Sequence, residues 1–238
     1  MRIDLRFLSD INGIKGGHMK RRVICDMLAI AFTGLFMIGT MTASGQTTRG
    51  NLLEQRITVH IKQGTFLYAL STLCVDHRIP IGFELARDHK PQYHLNIDLE
   101  NARLEDVLNE IVGQETGYRW ELRDGVINII PITSRDDFVE KLLNTPIGRF
   151  DQPTNLGKFQ IRDAIVELPE VVSLLKANGI TPSHYGYSYS DYMNKKVDLS
   201  ISRTDVRGIL NKVIRETEHN MWIVSRSGKN LSSLDIGF

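Results

Sequence analysis

The strongest constraint on this chain is that it repeats itself. Val107-Leu108-Asn109-Glu110-Ile111-Val112 matches Ile209-Leu210-Asn211-Lys212-Val213-Ile214 at an offset of 102 residues, and the same offset carries Leu104 onto Val206 and Trp120 onto Trp222. The preceding run Val197-Asp198-Leu199-Ser200-Ile201 mirrors the run ending at Leu99, and the turn Asp124-Gly125 returns one residue late as Ser227-Gly228. An earlier segment also has a partner: Phe66-x-x-Ala69-Leu70-x-x-Leu73 matches Ile161-x-x-Ala164-Ile165-x-x-Leu168. A duplicated unit accounts for matched helix faces, tryptophans and turns together. The match is strong in the second half of the unit and weaker in the first.

Each copy reads as alternating strands and helices. Ile57-Thr58-Val59-His60-Ile61 alternates apolar and polar residues, as a half-buried strand does. Phe66, Leu70, Leu73 and Cys74 then share one helical face. Pro80 opens a short strand to Glu84, and Tyr93–Leu99 is the cleanest period-2 run in the chain. Asn101 is expected to cap a second helix whose stripe is Leu104, Val107, Leu108, Ile111 and Val112, with Gly117 beyond its end. Tyr118–Leu122 and Val126–Ile130 flank Asp124-Gly125, a strong hairpin signal. The second copy departs in its middle. Pro169 kinks or restarts the helix, and a segment from Ser183 to Tyr192 replaces the tidy second strand. Between the copies, Phe138, Val139, Leu142 and Leu143 stripe a short connecting helix, and a weak strand, Ile147–Gln152, follows.

The predicted fold is therefore α+β: two tandem small β-α-β-β-α-β modules, each extended by the hairpin's last strand, with helices packed on small mixed sheets. The modules span residues 50–133 and 147–238, joined by a connecting helix at 134–146. No low-complexity linker separates them, so they are expected to pack together.

Residues 1–45 read as a leader and signal peptide. Met19-Lys20-Arg21-Arg22 is basic, Met27–Ala43 is an apolar run of 17 residues diluted by glycine and threonine, and Ala43-Ser44-Gly45 supplies small residues before Gln46. The expectation is a periplasmic or exported body, with a cleaved signal preferred to a retained anchor. Translation starts at Met1 or at Met19. The leader holds six basic and three acidic residues, which leaves a body with 23 basic and 25 acidic residues. That near-neutral balance makes no case for nucleic acid. Cleavage at Gln46 would remove Cys25 and leave Cys74 as the one cysteine, on an apolar helix face.

The first copy resembles the secretin and TonB short N-terminal domain family (STN) over about Arg56 to Pro131. The residues that carry the likeness are Phe66-Leu67-Tyr68-Ala69-Leu70, Ile79-Pro80-Ile81-Gly82-Phe83-Glu84, and Asn101-Ala102-Arg103-Leu104-Glu105-Asp106-Val107-Leu108 leading to Gly117-Tyr118-Arg119-Trp120. The second copy looks like a diverged relative. Such domains sit at the periplasmic ends of secretion pores and of signalling outer-membrane receptors, where they contact other proteins. The resemblance implies a periplasmic, noncatalytic interaction role. Unlike those hosts, this chain is expected to carry no barrel, plug or pore domain after the modules.

Searching the sequence for chemistry returns no catalytic residue, no cofactor motif and no metal set. Seven histidines fall in no H-E-x-x-H or C-x-x-C context, and no two lie at i, i+4 on one helix. His60 and His94 take polar positions in alternating strands, and neither Asp76-His77 nor Asp88-His89 is placed as an acid–base pair. Tyr185, Tyr187 and Tyr189, with Tyr192 beyond, form the candidate binding surface, because alternate residues of a strand share a face. Those rings either cover the second module's own core edge or meet a partner. Two strands are candidate open edges for an incoming strand, Ile57–Ile61 and Val126–Ile130. The leading functional reading is a noncatalytic protein that docks onto an envelope secretion or receptor complex. The alternative is a periplasmic binding protein for a small ligand or cell-wall glycan, using the cleft between modules and the tyrosine segment. In the leading reading the expected partner is another envelope protein, and membrane contact is expected only through the amino-terminal signal or anchor.

Overall fold

The computed structural model describes residues 51–90, 92–152, 158–182, 199–217 and 220–238. Their class is α+β.

The first half runs β1 (Arg56–Gly64), α1 (Phe66–Asp76), β2 (Ile81–Glu84), β3 (Leu95–Arg103), α2 (Leu104–Gln114), β4 (Tyr118–Arg123) and β5 (Val126–Pro131). Strand β1 buries Ile57, Val59 and Ile61 and pairs antiparallel with β3. Helix α1 starts at Thr65, whose hydroxyl accepts from the Tyr68 amide, and buries Phe66, Ala69, Leu70, Leu73 and Cys74. Helix α2 buries Leu104, Val107, Leu108 and Ile111. The β4–β5 hairpin turns through Asp124 and Gly125, both at positive φ, as a two-residue turn of matching twist requires.

After α3 (Asp137–Leu143), capped by the Asp136 carboxylate, the second half runs β6 (Pro146–Gln152), α4 (Lys158–Val166), α5 (Pro169–Ala177), β7 (Thr181–Pro182), β8 (Leu199–Asp205), α6 (Val206–Glu216), β9 (Met221–Ser227) and β10 (Ser233–Gly237). A helix broken before Pro169 stands where α1 stood, because proline removes a helical donor and is favoured at a helix start. The pairing is the same in both halves. β1 pairs antiparallel with β3, and β6 with β8; β5 joins β4 antiparallel and β2 parallel, and β10 joins β9 antiparallel and β7 parallel.

Finer details recur too. Strands β3 and β8 run directly into α2 and α6, with Leu104 and Val206 fully buried at the helix starts. The Leu104 amide donates to the Gln55 carbonyl at 2.8 Å, just before β1; the Val206 amide donates to the Thr145 carbonyl at 3.3 Å, just before β6. Asn101 and Arg203, 102 residues apart, both hold left-handed φ, 50° and 54°. The expected cap at Asn101 is therefore corrected. Asn101 lies inside β3, and its short polar side chain suits the left-handed kink that aims the chain into the helix. The cap position is Arg103, whose guanidinium binds the Asp106 carboxylate at 2.9 and 3.1 Å.

The sheets also differ from expectation. The two three-stranded sets are not separate; β2 pairs parallel with β9, giving one six-stranded sheet in the order β4-β5-β2-β9-β10-β7. Strand β5, expected at an edge, is interior and buried along its length. It is apolar at every position but the buried Asn128, as suits a strand covered on both faces. Ile81, Phe83, Ile127 and Ile129 face a core built with α1 and α2. Trp222, Val224, Leu234 and Ile236 belong to a second core built with α3, α5 and α6. By the register, Gly82 opposes Trp222 while Ile81 and Phe83 point away, so the two cores lie on opposite faces of the shared sheet. The counterpart strands β4 and β9 run in opposite directions but keep the same place in each set. A half-turn about an in-plane axis across the strands, with a step along it, thus carries one set onto the other. That contact is head-to-tail, so it does not close on itself.

A candidate strand-docking edge

The junction shows what the unit's outer strand does when it is occupied. On β9, Trp222 is fully buried, and its indole N–H donates to Asn211 Oδ1 on α6 at 2.8 Å. Gly82 of β2 lies across it so closely that a Cβ there would overlap Cζ2 and Cε2 of the indole. Glycine in a short apolar strand marks such a close approach. The Ile81 amide donates to the Asn220 carbonyl at 2.7 Å, and the Leu85 amide to the Val224 carbonyl at 3.0 Å. Two residues beyond Gly82, the Glu84 carboxylate accepts from Arg207 Nη1 of α6 at 2.6 Å, both side chains being almost wholly buried. Burial raises the Glu84 carboxyl above its ordinary value; the Arg207 guanidinium, and more weakly Arg135, pull it back. Around this core the halves are tied by Arg123 to Asp205 at 2.7 Å, Arg215 to the Asp124 carbonyl at 2.6 Å, and Asn220 to the Cys74 carbonyl at 3.0 Å.

The first half carries the same device, with no strand paired to its outer side among the described residues. On β4, the Trp120 indole donates to Asn109 Oδ1 of α2 at 2.9 Å, the counterpart of the Trp222–Asn211 bond. Strand β4 ends the sheet, and among the described residues no strand pairs with its outer side. Trp120 is only half-buried, and Leu122 is 40% exposed. In a two-residue hairpin the residues flanking the turn, Arg123 and Val126, bond to each other, and bonding alternates from there. The amides of Trp120 and Leu122 therefore point outward. Where α6 has Arg207, α2 has Glu105, 3.3 Å from Arg103 and flanked by Asp106.

No protein-family model, curated protein or solved structure matches this chain. Its own geometry is what speaks for its function.

The candidate surface of Tyr185, Tyr187, Tyr189 and Tyr192 lies outside the described residues, as do His18, His184 and His219. Strand β1, the other candidate edge, pairs with β3 in a sheet of two. The histidines among the described residues are dispersed. His60 Nδ1 meets Asp98 at 2.6 Å on an exposed face, His94 Nε2 meets the Gln114 carbonyl at 3.1 Å, and His89 packs edge-on to Phe83 and Tyr118. Burial lowers His89, and Asp88 turns instead to Ser134 Oγ at 3.2 Å. Among the described residues no group of three His, Cys, Asp or Glu is placed to hold a metal, and no helix is long and apolar enough to cross a membrane. Cys74 is buried, which pushes its thiol up to about 12. An open polar hollow lined by Arg123, Asn144, Pro146, Arg203, Thr204 and Asp205 lies where the halves meet, and its Arg123 and Asp205 form an ion pair.

Both tryptophans and the Asn109–Asn211 match are visible in the sequence, but their bond is not. The contact of Gly82 with the indole and the Glu84–Arg207 ion pair were not read from the sequence, which places Gly82 and Glu84 only in a short strand. The available signals were a glycine inside a short apolar strand and a basic residue, Arg207, standing where the repeat has Glu105.

Proposed function

We propose that this protein is an exported, noncatalytic docking protein built from two STN-like copies of one duplicated unit, and that it joins another envelope protein through a sheet edge. One observation carries the reading. The chain already uses the outer strand of one copy, β9, as the receptor for a strand of the other, and leaves the counterpart strand β4 without a strand partner among the described residues. Unpaired strand edges are templates for strand addition, and main-chain hydrogen bonds supply its affinity. The basic, apolar and small-residue order of residues 1–45 supports export.

The reading is tested in two steps. Residues 1–45 fused to a phosphatase that is active only outside the cytoplasm should give activity. In the full chain, a photo-crosslinking side chain at Leu122 should then yield a discrete adduct with an envelope protein, and one at the buried Leu108 should not. An inactive fusion, or no adduct at Leu122, would contradict it.

A further inference from the structure

The occupied junction is a template for the open one, and it specifies a ligand. On β9 the incoming strand runs parallel, sets a residue without a side chain over the indole, and two residues later sends a charge to the first turn of the neighbouring helix. The repeat offset places Trp120 where Trp222 stands, Asn109 where Asn211 stands, and Glu105 where Arg207 stands. The steric requirement is therefore retained while the charge requirement is reversed.

We propose that the outer edge of β4 receives an extended segment of a partner polypeptide, running parallel to β4, with glycine or alanine over Trp120 and lysine or arginine two residues later facing Glu105. This rests on the docking reading above and adds the chemistry of the partner. The segment's amides and carbonyls complete the outward groups of Trp120 and Leu122, as those of β2 do for β9. Its small residue lets the backbone approach an indole held by Asn109 at 2.9 Å. Its cation meets an acidic turn, Glu105 and Asp106, whose close ion-pair partner among the described residues is Arg103, at 3.3 and 2.9 Å. Residues alternating with these face Arg119 and Glu121, which pair with each other at 3.1 Å and accept polar neighbours.

The charge reversal also argues against β2 of a second copy as the occupant. The segment Ile81-Gly82-Phe83-Glu84 satisfies the steric rule, but it is already held between β5 and β9. Its glutamate would also confront Glu105. A like charge at that place disfavours the Glu84-bearing strand and favours a basic one.

Two short capped peptides, one with the run Ile-Gly-Phe-Lys and one with Ile-Gly-Phe-Glu, titrated against the full chain provide the test. Binding is read from the indole N–H resonances and by calorimetry. The Lys peptide should shift the Trp120 indole signal, leave Trp222 unmoved, and bind about tenfold more tightly than the Glu peptide, the difference narrowing with salt. A run with Val in place of Gly should not bind. In Glu105→Lys, whose melting temperature is checked first, the preference should invert. Equal affinity for both peptides, no inversion in a folded Glu105→Lys chain, or self-association through β4 would overturn the proposal. An adduct at Leu122 whose partner segment lacks a small residue followed two places later by a cation would overturn it while leaving the docking reading intact. The absence of any adduct would remove both.

Discussion

Gly82→Val is expected to lower the free energy of unfolding by about 3 kcal/mol or more, seen as a fall in the denaturant midpoint. The reason is local and steric. A Cβ at position 82 would overlap the six-membered ring of Trp222, and that indole has nowhere to go. It is fully buried, and its N–H is committed to Asn211 on the helix beneath. Overpacking usually costs ~1–3 kcal/mol when neighbours can relax. Here the neighbour is a large rigid ring in the middle of a six-stranded sheet, so the strands must part, and the β2–β9 hydrogen bonds go with them. Gly148→Val in β6 is the control, because a Cβ there meets nothing within 4 Å. That variant should stay within about 1 kcal/mol of wild type, since a β-branched residue suits a strand. Equal midpoints for the two variants would show that Gly82 does not lie against Trp222.

Arg207→Met should cost about 3–5 kcal/mol near neutral pH, because it leaves the Glu84 carboxylate buried without its cation. The loss should depend on pH with a defined sign. Burial holds the Glu84 carboxyl above its ordinary value in the folded chain, so the fold binds a proton at a pH where the unfolded chain has released it. The stability linked to that proton is fully present below the unfolded value and is lost as pH rises through the folded value. Removing Arg207 removes the main influence that lowers Glu84, so its folded value rises further. The gap between variant and wild type should therefore be widest near neutrality and narrow on acidification, in denaturation curves run from pH 7 down to about pH 4. The double variant Glu84→Leu with Arg207→Met should recover most of the loss, since a buried ion pair can be replaced by apolar groups at little net cost.

What could be read from the sequence is what repeats locally. The Leu104 and Val206 stripes, the Asp124-Gly125 hairpin and the paired tryptophans each rest on a period, a turn chemistry or an offset that one chain displays by itself. The β2–β9 pairing does not. It joins residues some 140 positions apart, and no local pattern in Ile81–Glu84 names Met221–Val224 as its partner. Two further signals lie in the sequence itself. The run Val126–Pro131 is apolar at nearly every position, which fits an interior strand better than the edge expected for it. Asn101 suits a left-handed φ as well as a helix cap, and the same angle at Arg203 shows that the kink belongs to the repeat. The candidate docking edge is half legible: Trp120 and Asn109 stand out by offset, but their place needs the occupied counterpart at Trp222 and Gly82.

Amide hydrogen exchange across the six-stranded sheet tests the account most directly, because it asks which strands are inside and which edge is free. The amides of Ile81, Phe83, Trp222 and Val224 should be among the slowest in the protein, while those of Trp120 and Leu122 exchange quickly. Fast exchange along β2 and β9 together with slow exchange at Trp120 and Leu122 would mean that the two halves do not share a sheet through that junction, and that β4 is not open to a partner strand.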